Sequence, residues 1–371
     1  MTKVLIVDDS ALMRKHLTNM LEDAGGFKTM TARNGLEALA CLDSFDPDVI
    51  TLDINMPEMD GITCLSHIMN KRPKPVVMVS SLTEDSAEVT LQALSLGAVD
   101  YVRKPDGTIS LSIGRIQREL LEKIRSAAKA KIRRSAGLTG RIRTERSRIA
   151  DHSNGKNKRE LAPVANQKVG IVLIGVSTGG PGTLEEILPS LPGNFPWAVA
   201  VAQHMPGSFT GVFARRLNDI CAMKVEEVAR QTPLEAGTIY IAKGDADIVI
   251  LRRGSGFTAA PVPPSQDYLW HPSVHRMVAS ATEVVPTDRL IGVELTGMGD
   301  DGAEAMAELN RRGGRTIAQD EATSIVYGMP NELIRRGGAD AVLAAGAVAS
   351  QLVEWLMPFG AITREASHGT R

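Results

Sequence analysis

Short, almost wholly apolar runs alternate along this chain with stretches in which apolar residues return every three or four positions. The runs at Lys3–Val7, Asp48–Leu52, Pro75–Val79, Asp100–Val102, Val169–Val176, Ala198–Ala202 and Leu290–Leu295 predict strands buried on both faces. Helical spacing follows most of them: Met13, Leu17, Met20 and Ala24 after a capping Ser10; Gly35–Leu42; Ile113, Ile116, Leu120 and Ile124 within Ser112–Ala128. Further helices are expected over Pro181–Leu188, Ser208–Leu217, Ser273–Thr282, Ala303–Asn310 and Val348–Leu356, and a hairpin-type excursion over Thr238–Ala242 and Asp247–Leu251. Repeated strand–helix alternation predicts an α/β fold of two doubly wound parallel-sheet domains. Between them, from Lys129 to Gln167, the periodicity fades into a basic stretch with Gly, Ser and Asn, which predicts a solvated connector. The expected boundaries are 1–125, a linker over 126–167, and 168–360.

Composition changes this picture little. The 371 residues leave room for two or three cores, and aromatics at 4% make those cores aliphatic. A formal net charge of -1 gives no global field to recruit nucleic acid or an anionic membrane. The linker's Lys and Arg suit a nucleic-acid arm in principle, but no stacking aromatics and no helix-turn-helix pattern accompany them. Cys41, Cys64 and Cys221 form no C-x-x-C and read as reduced core thiols. The opening MTKVLIVDDS reads as a strand rather than a signal peptide, and no stretch approaches the ~18 apolar residues of a membrane span. The expectation is a cytoplasmic protein without membrane insertion.

Candidate chemistry falls at strand ends, where doubly wound sheets bind ligands. In the N-terminal half these are Asp8, Asp9, Asp53, Ser80 and Lys104. Singly, a strand-end Asp caps the next helix and a Lys is a solvated tip. Together, three converging carboxylates fit a hard cation such as Mg²⁺, with a lysine opposite for a phosphoryl oxygen and one Asp as phosphoryl acceptor. The stretches VLIVDDS, TLDINMPEMDG, VVMVSS and DYVRKP closely resemble the response-regulator receiver domain, which is flavodoxin-like. That resemblance implies Asp53 as phosphoacceptor, Asp8 and Asp9 as metal-binding acids, and Asn55 as a backbone metal contact. It also implies Ser80 as switch hydroxyl, Tyr101 as switch aromatic and Lys104 as the phosphate-sensing lysine.

In the C-terminal half, Gly175-Val176-Ser177-Thr178-Gly179 matches G-x-S-x-G, a sharp turn that lifts a serine hydroxyl off a strand end. The same Gly-rich turn before a helix also suits a phosphate. A nucleophilic serine needs a base and an orienting acid, and His204 and Asp301 lie just past two other predicted strands. Alone, His204 suits a loop histidine and Asp301 a helix cap. The order Ser, His, Asp differs from that of α/β-hydrolases, so that fold lends no support.

IGVSTGGP, QHMPGSFTGVFARRLN, YIAKGD, HPSV, LTGMGDDGA and AQDEATSIVYGMP resemble the catalytic domain of chemotaxis protein-glutamate methylesterases, the CheB family, which is Rossmann-like. The order receiver, basic linker, catalytic domain matches that family's architecture. The resemblance implies Ser177 as nucleophile, His204 as base, Asp301 as orienting acid, the Met298 N–H as an oxyanion donor and Thr178 as a neighbour of the site. Where the family often has Arg-Pro-Ser-Val-Asp, this chain has His271-Pro272-Ser273-Val274-His275. His271 and His275, four apart, are expected to share a helix face, but no third metal ligand accompanies them.

The implied activity is demethylation of glutamate methyl esters, and deamidation of glutamines, on methyl-accepting chemotaxis receptors. A chemotaxis histidine kinase is the implied phosphodonor, Mg²⁺ the receiver's cofactor, and receptor arrays the place of recruitment; ester hydrolysis itself needs no cofactor. Two other classes stay open on the residues alone: a phosphorylation-dependent interaction module holding a nucleotide at the Gly-rich turn, and a transcriptional regulator.

Overall fold

The computed structural model describes residues 1–80, 84–104, 113–130 and 169–357, apart from the side chains of 84, 85 and 113–116. The chain divides into two compact units, Met1–Asn157 and Lys158–Arg371. The expected connector lies outside the described residues except for its first few positions.

The N-terminal unit is a five-stranded, all-parallel sheet built from β1 (Thr2–Val7), β2 (Phe27–Ala32), β3 (Val49–Asp53), β4 (Val76–Ser80) and β5 (Asp100–Arg103), in the order β2-β1-β3-β4-β5. Helices α1 (Ala11–Ala24), α2 (Gly35–Phe45), α3 (Gly61–Lys71), α4 (Glu84–Ser95) and α5 (Ile113–Ala127) link the strands or follow the last. The central strands β3 and β4 are buried at every position, which is why they read as apolar runs. Strand β2, FKTMTA, was not expected: it is an edge strand with exposed and half-buried positions, so its sequence carries no apolar run.

The second unit has a seven-stranded parallel sheet ordered β15-β14-β13-β6-β7-β10-β8. Its strands are β6 (Ile171–Val176), β7 (Ala198–Gln203), β8 (Lys224–Val228), β10 (Thr238–Ala242), β13 (Leu290–Glu294), β14 (Arg315–Gln319) and β15 (Ala341–Leu343). Between them run α6 (Gly180–Ile187), α7 (Gly207–Ile220), α8 (Val274–Val284), α9 (Ala303–Arg311) and α10 (Met329–Arg335), with α11 (Ala345–Leu356) last. From β6 the chain winds outward through β7 and later returns to β13 on the other side of β6, so the order reverses there. Doubly wound sheets place their crevice at such a reversal.

The expected hairpin is corrected. Thr238–Ala242 is an inner strand of the parallel sheet, paired with both β7 and β8. Strand β11 (Asp247–Arg253) instead pairs antiparallel with β12 (Gly256–Val262), which also carries β9 (Thr232–Pro233). Two apolar runs five residues apart suggest a hairpin, but TIYIA is buried throughout, and a core position outweighs proximity in sequence.

Asp247 fastens this small sheet to the crevice. Its side chain is wholly buried and accepts from His271 Nδ1 (2.8 Å), Arg276 Nη1 (2.8 Å), Ser273 N (2.9 Å) and Ser265 N (3.1 Å). It thereby fixes the segment that leads into α8. His271 lies in that segment, before a cis His271–Pro272 peptide, and not on the helix, which begins at Val274; the expected shared face with His275 is therefore corrected. Burial pushes the Asp247 carboxyl upward, but the His271 bond, the Ser273 N–H and Arg276 outweigh it and hold the group below the usual carboxylate range. A depressed acid stabilises the fold above its unfolded pKa, and that contribution is lost as pH falls through the folded pKa. Asp247→Ala is expected to cost about 2–3 kcal/mol at neutral pH, because it strands the partly buried Arg276 guanidinium and leaves His271 Nδ1 and two backbone N–H groups without their acceptor. Denaturant unfolding at neutral and acidic pH checks this: the deficit must shrink on acidification.

Candidate functional site

The crevice of the second unit is built from three strand ends. Strand β6 pairs in register with β7, Val176 opposite Gln203, so Ser177 and His204 are the next residues of adjacent parallel strands. Strand β6 also pairs with β13, Gly175 opposite Glu294, which brings the turn bearing Asp301 to its other side. Ser177 sits in the switch from strand to helix: its N–H bonds Thr296 O, and its carbonyl accepts from Gly180 N and from Gln203 Nε2. Gly179 makes the turn possible with φ of 78°, and a Cβ there would come within 2.6 Å of Ile325.

Asp301 is the most heavily bonded group in the crevice. Its Oδ2 lies 2.8 Å from His204 Nε2 and accepts from Val274 N at 2.8 Å. Its Oδ1 accepts from His275 N at 2.9 Å and from Ser273 Oγ at 3.1 Å. Val274 and His275 open helix α8, so Asp301 occupies the helix N-terminus, where unpaired N–H groups and the helix dipole favour an anion. Burial opposes the charge, yet the His204 bond and these N–H groups prevail and hold the carboxyl below its ordinary value. With Nε2 committed to Asp301, the nitrogen that remains is Nδ1, which is buried and without a hydrogen-bond partner among the described residues. The structure thus joins His204 to Asp301 and sets Ser177 beside them in register, without forming a Ser177–His204 hydrogen bond. Such bonds are commonly made only once substrate is present.

Thr178, buried, accepts Thr296 Oγ1 on its carbonyl. Met298 is half-buried in the turn between Gly297 and Gly299, past β13. Sequence reasoning missed four residues here. Gln203 clamps the two loops, its Nε2 within 3.1 Å of Ser177 O and 3.0 Å of His204 O. Trp270 stacks against the His204 ring at 5.6 Å between centroids and 11° between planes. Ser273 caps α8 and donates to Asp301. Glu294 is fully buried with neither oxygen bonded among the described residues. The visible signal was a polar residue inside an apolar run for Glu294 and Gln203, and a capping serine for Ser273; for Trp270 there was none.

In the N-terminal unit the expected acids do converge. One oxygen from each of Asp8, Asp9 and Asp53 lies within 4.8 Å of the others, with Asp8 and Asp53 buried and Asp9 exposed. Lys104 Nζ reaches Asp53 Oδ2 at 2.7 Å and Asp8 Oδ2 at 3.2 Å. Burial raises the Asp53 carboxyl, Lys104 offsets part of this, and the neighbouring Asp8 adds to the rise. Burial likewise works against the Lys104 charge, but the Asp53 and Asp8 carboxylates outweigh it and raise that group. One ammonium among three carboxylates leaves an excess of negative charge on oxygen donors, a set that fits a hard dication such as Mg²⁺. Asn55 is exposed, two residues past Asp53. Ser80, buried at the end of β4, has its hydroxyl 3.0 Å from that of Thr90. Tyr101 is buried, with Lys123 Nζ 4.9 Å from its ring centroid.

Residues 172–352 match the family model for CheB methylesterase, and residues 4–112 that for the response regulator receiver domain. A protein-glutamate methylesterase/protein-glutamine glutaminase of Rhodospirillum rubrum is 64% identical, the match covering 100% of this chain and 99% of the relative. One from Rhodopseudomonas palustris is 52% identical over 96% of this chain and 98% of its own. The crystal structure of the Thermotoga maritima CheB methylesterase catalytic domain is 35% identical, covering 51% of this chain and all of that one, with a TM-score of 0.49. No helix among the described residues is long and apolar enough to cross a membrane. With full-length relatives at this identity and both family models matched in sequence order, the chain belongs to the CheB methylesterase family, with a response regulator receiver domain ahead of the methylesterase domain.

Proposed function

We propose that this chain is a phosphorylation-controlled protein-glutamate methylesterase, and a protein-glutamine glutaminase, that acts on methyl-accepting chemotaxis receptors through Ser177, His204 and Asp301. The observation that carries this reading is the His204–Asp301 pair: a 2.8 Å bond from Nε2 to a buried, stabilised carboxylate leaves Nδ1 as the ring nitrogen available to accept a proton, with Ser177 the next residue of the adjacent strand. Its domains would be a receiver over 1–125, a linker over 126–167 and the methylesterase domain over 168–360.

Ser177 Oγ attacks the γ-carbonyl carbon of a methylated glutamate while its proton passes to His204 Nδ1. The imidazolium is stabilised by Asp301, and the oxyanion by backbone donors that include the Met298 N–H, with Thr178 beside it. As the tetrahedral intermediate collapses, His204 returns the proton to the departing methoxide and methanol leaves. Water then attacks the acyl-enzyme with His204 again as base, releasing glutamate and free Ser177. A glutamine side chain follows the same course with ammonia as leaving group.

In the receiver, Asp53 would accept a phosphoryl group from a chemotaxis histidine kinase. Mg²⁺ held by Asp8, Asp9, Asp53 and the Asn55 carbonyl would neutralise the charge of the transferring group. Lys104 would pair with the phosphoryl oxygens, while Ser80 and Tyr101 respond to them. The enzyme would work in the cytoplasm at receptor arrays. A typical coupling of ~1–3 kcal/mol implies about 5–150-fold activation.

Methanol release from methylated receptor membranes, with and without acetyl phosphate, tests both halves. Ser177→Ala is expected to lose at least about 10³-fold in rate under either condition; Asp53→Asn is expected to keep the basal rate and lose the stimulation. Wild-type release from Ser177→Ala would sink the catalytic assignment. Asp301→Asn is expected to lower kcat about 10³–10⁴-fold, since it removes the charge that stabilises imidazolium. Because the Asp301 carboxyl is depressed, its contribution persists through the mildly acidic range and fails only as pH falls through its folded pKa. A kcat profile without a limb in the ordinary carboxylate range checks this.

A further inference from the structure

The least explained group beside the crevice is Glu294, at the end of β13. No part of it is exposed, and neither carboxyl oxygen has a hydrogen-bond partner among the described residues. The two oxygens lie against two backbone segments. A Cβ on Gly175 would stand 2.8 Å from Oε1, and a Cβ on Gly302 would stand 2.7 Å from Oε2. Gly175 is two residues before Ser177, and Gly302 directly follows Asp301. Val274, whose N–H bonds Asp301, closes the same space from α8, its Cγ1 within 2.4 Å of either imagined Cβ. The missing side chains of two glycines thus make room for this carboxyl and for the Val274 side chain packed with it, between the strand that presents the serine and the turn that presents the acid.

We propose that Glu294 is a positioning residue: a protonated, neutral carboxyl wedged between Gly175 and Gly302 that sets the spacing of Ser177 and Asp301. Without donors or solvent, an ionised carboxylate is not sustained in such a place. Burial first, and then the negative charge of Asp301, push the Glu294 carboxyl well above its usual range. Strand β6 presents Gly175 to it, α8 presents Val274, and the neighbouring β14 pairs Ala318 with it. Asp301, with His204 behind it, is the titratable group that acts on it. A neutral Glu294 adds no second negative charge behind Asp301. It touches neither substrate nor reacting atoms, and it acts only through the two segments it separates.

The inference rests on the reading of Ser177, His204 and Asp301 given above, and three measurements on the full-length protein separate the two. Infrared difference spectra, wild type minus Glu294→Gln at neutral pH, are expected to show a protonated carboxyl band; a carboxylate band there would overturn the proposal whatever the enzyme's substrate. Glu294→Gln, neutral and of the same planar shape, is expected to keep kcat within about 3-fold, with the same pH profile as wild type between about pH 6 and 8. Glu294→Ala opens the gap and is expected to lower kcat about 10–100-fold with KM little changed, since sub-ångström misplacement of reacting groups acts on turnover. Should Glu294→Ala not fold, Glu294→Leu, which fills the gap without the planar fork, is held to the same loss of at least about 10-fold. Full kcat in the Ala or Leu variant, or a loss in Gln equal to that in Ala, would overturn it. Wild-type turnover by Ser177→Ala would instead remove the catalytic reading and leave the infrared result standing.

Discussion

The second unit depends on one carboxylate. Asp301 takes four donors, and these come from elements far apart in sequence: His204 after β7, and Ser273, Val274 and His275 at the start of α8. A helix N-terminus leaves N–H groups unpaired, and a buried acid needs donors, so each satisfies the other's deficit. The same bonds orient the imidazole. Removing the charge would therefore release a helix end and a histidine together, which makes the cap and the candidate chemistry inseparable here.

Around that pair the fold spends polar groups on holding loops still. Gln203 ties the carbonyls of Ser177 and His204, and Thr296 reaches Thr178 on one side and Gln319 on the other. Asp247 fixes the segment that carries Trp270 over His204. Strand ends in a parallel sheet bring many backbone groups of a rigid scaffold within reach of one another.

The receiver applies the same geometry to a different charge problem. In the crevice of the second unit, one carboxylate is amply supplied with donors. In the N-terminal unit, three carboxylates share a single ammonium, and burial raises Asp53 rather than depressing it. A site with surplus donors stabilises a resident anion and so keeps a base oriented. A site with surplus anion waits for cations, which is the condition for holding a metal and then a phosphoryl group. Two sheets of one class thus carry opposite electrostatics at equivalent positions.

Sequence by itself determined the α/β class, the buried central strands and the strand-end residues of both candidate sites, because a strand covered on both faces must be apolar and its end is marked where polarity returns. It did not mark β2, β8 or β15, since edge strands have solvent on one side and need no such run. Pairing of Thr238–Ala242 into the main sheet, and the place of His271 ahead of α8 rather than on it, were decided by packing. So were the partners of the catalytic candidates. Motifs name Ser177, His204 and Asp301, but only the parallel pairing of β6 between β7 and β13 decides that Nε2 meets Asp301 and that Nδ1 is left over. Glu294 is the sharpest case: in sequence it is one odd letter in LIGVEL, and only the gap left by Gly175, from a strand distant in the chain, and by Gly302, in the turn that follows, gives that acid a place.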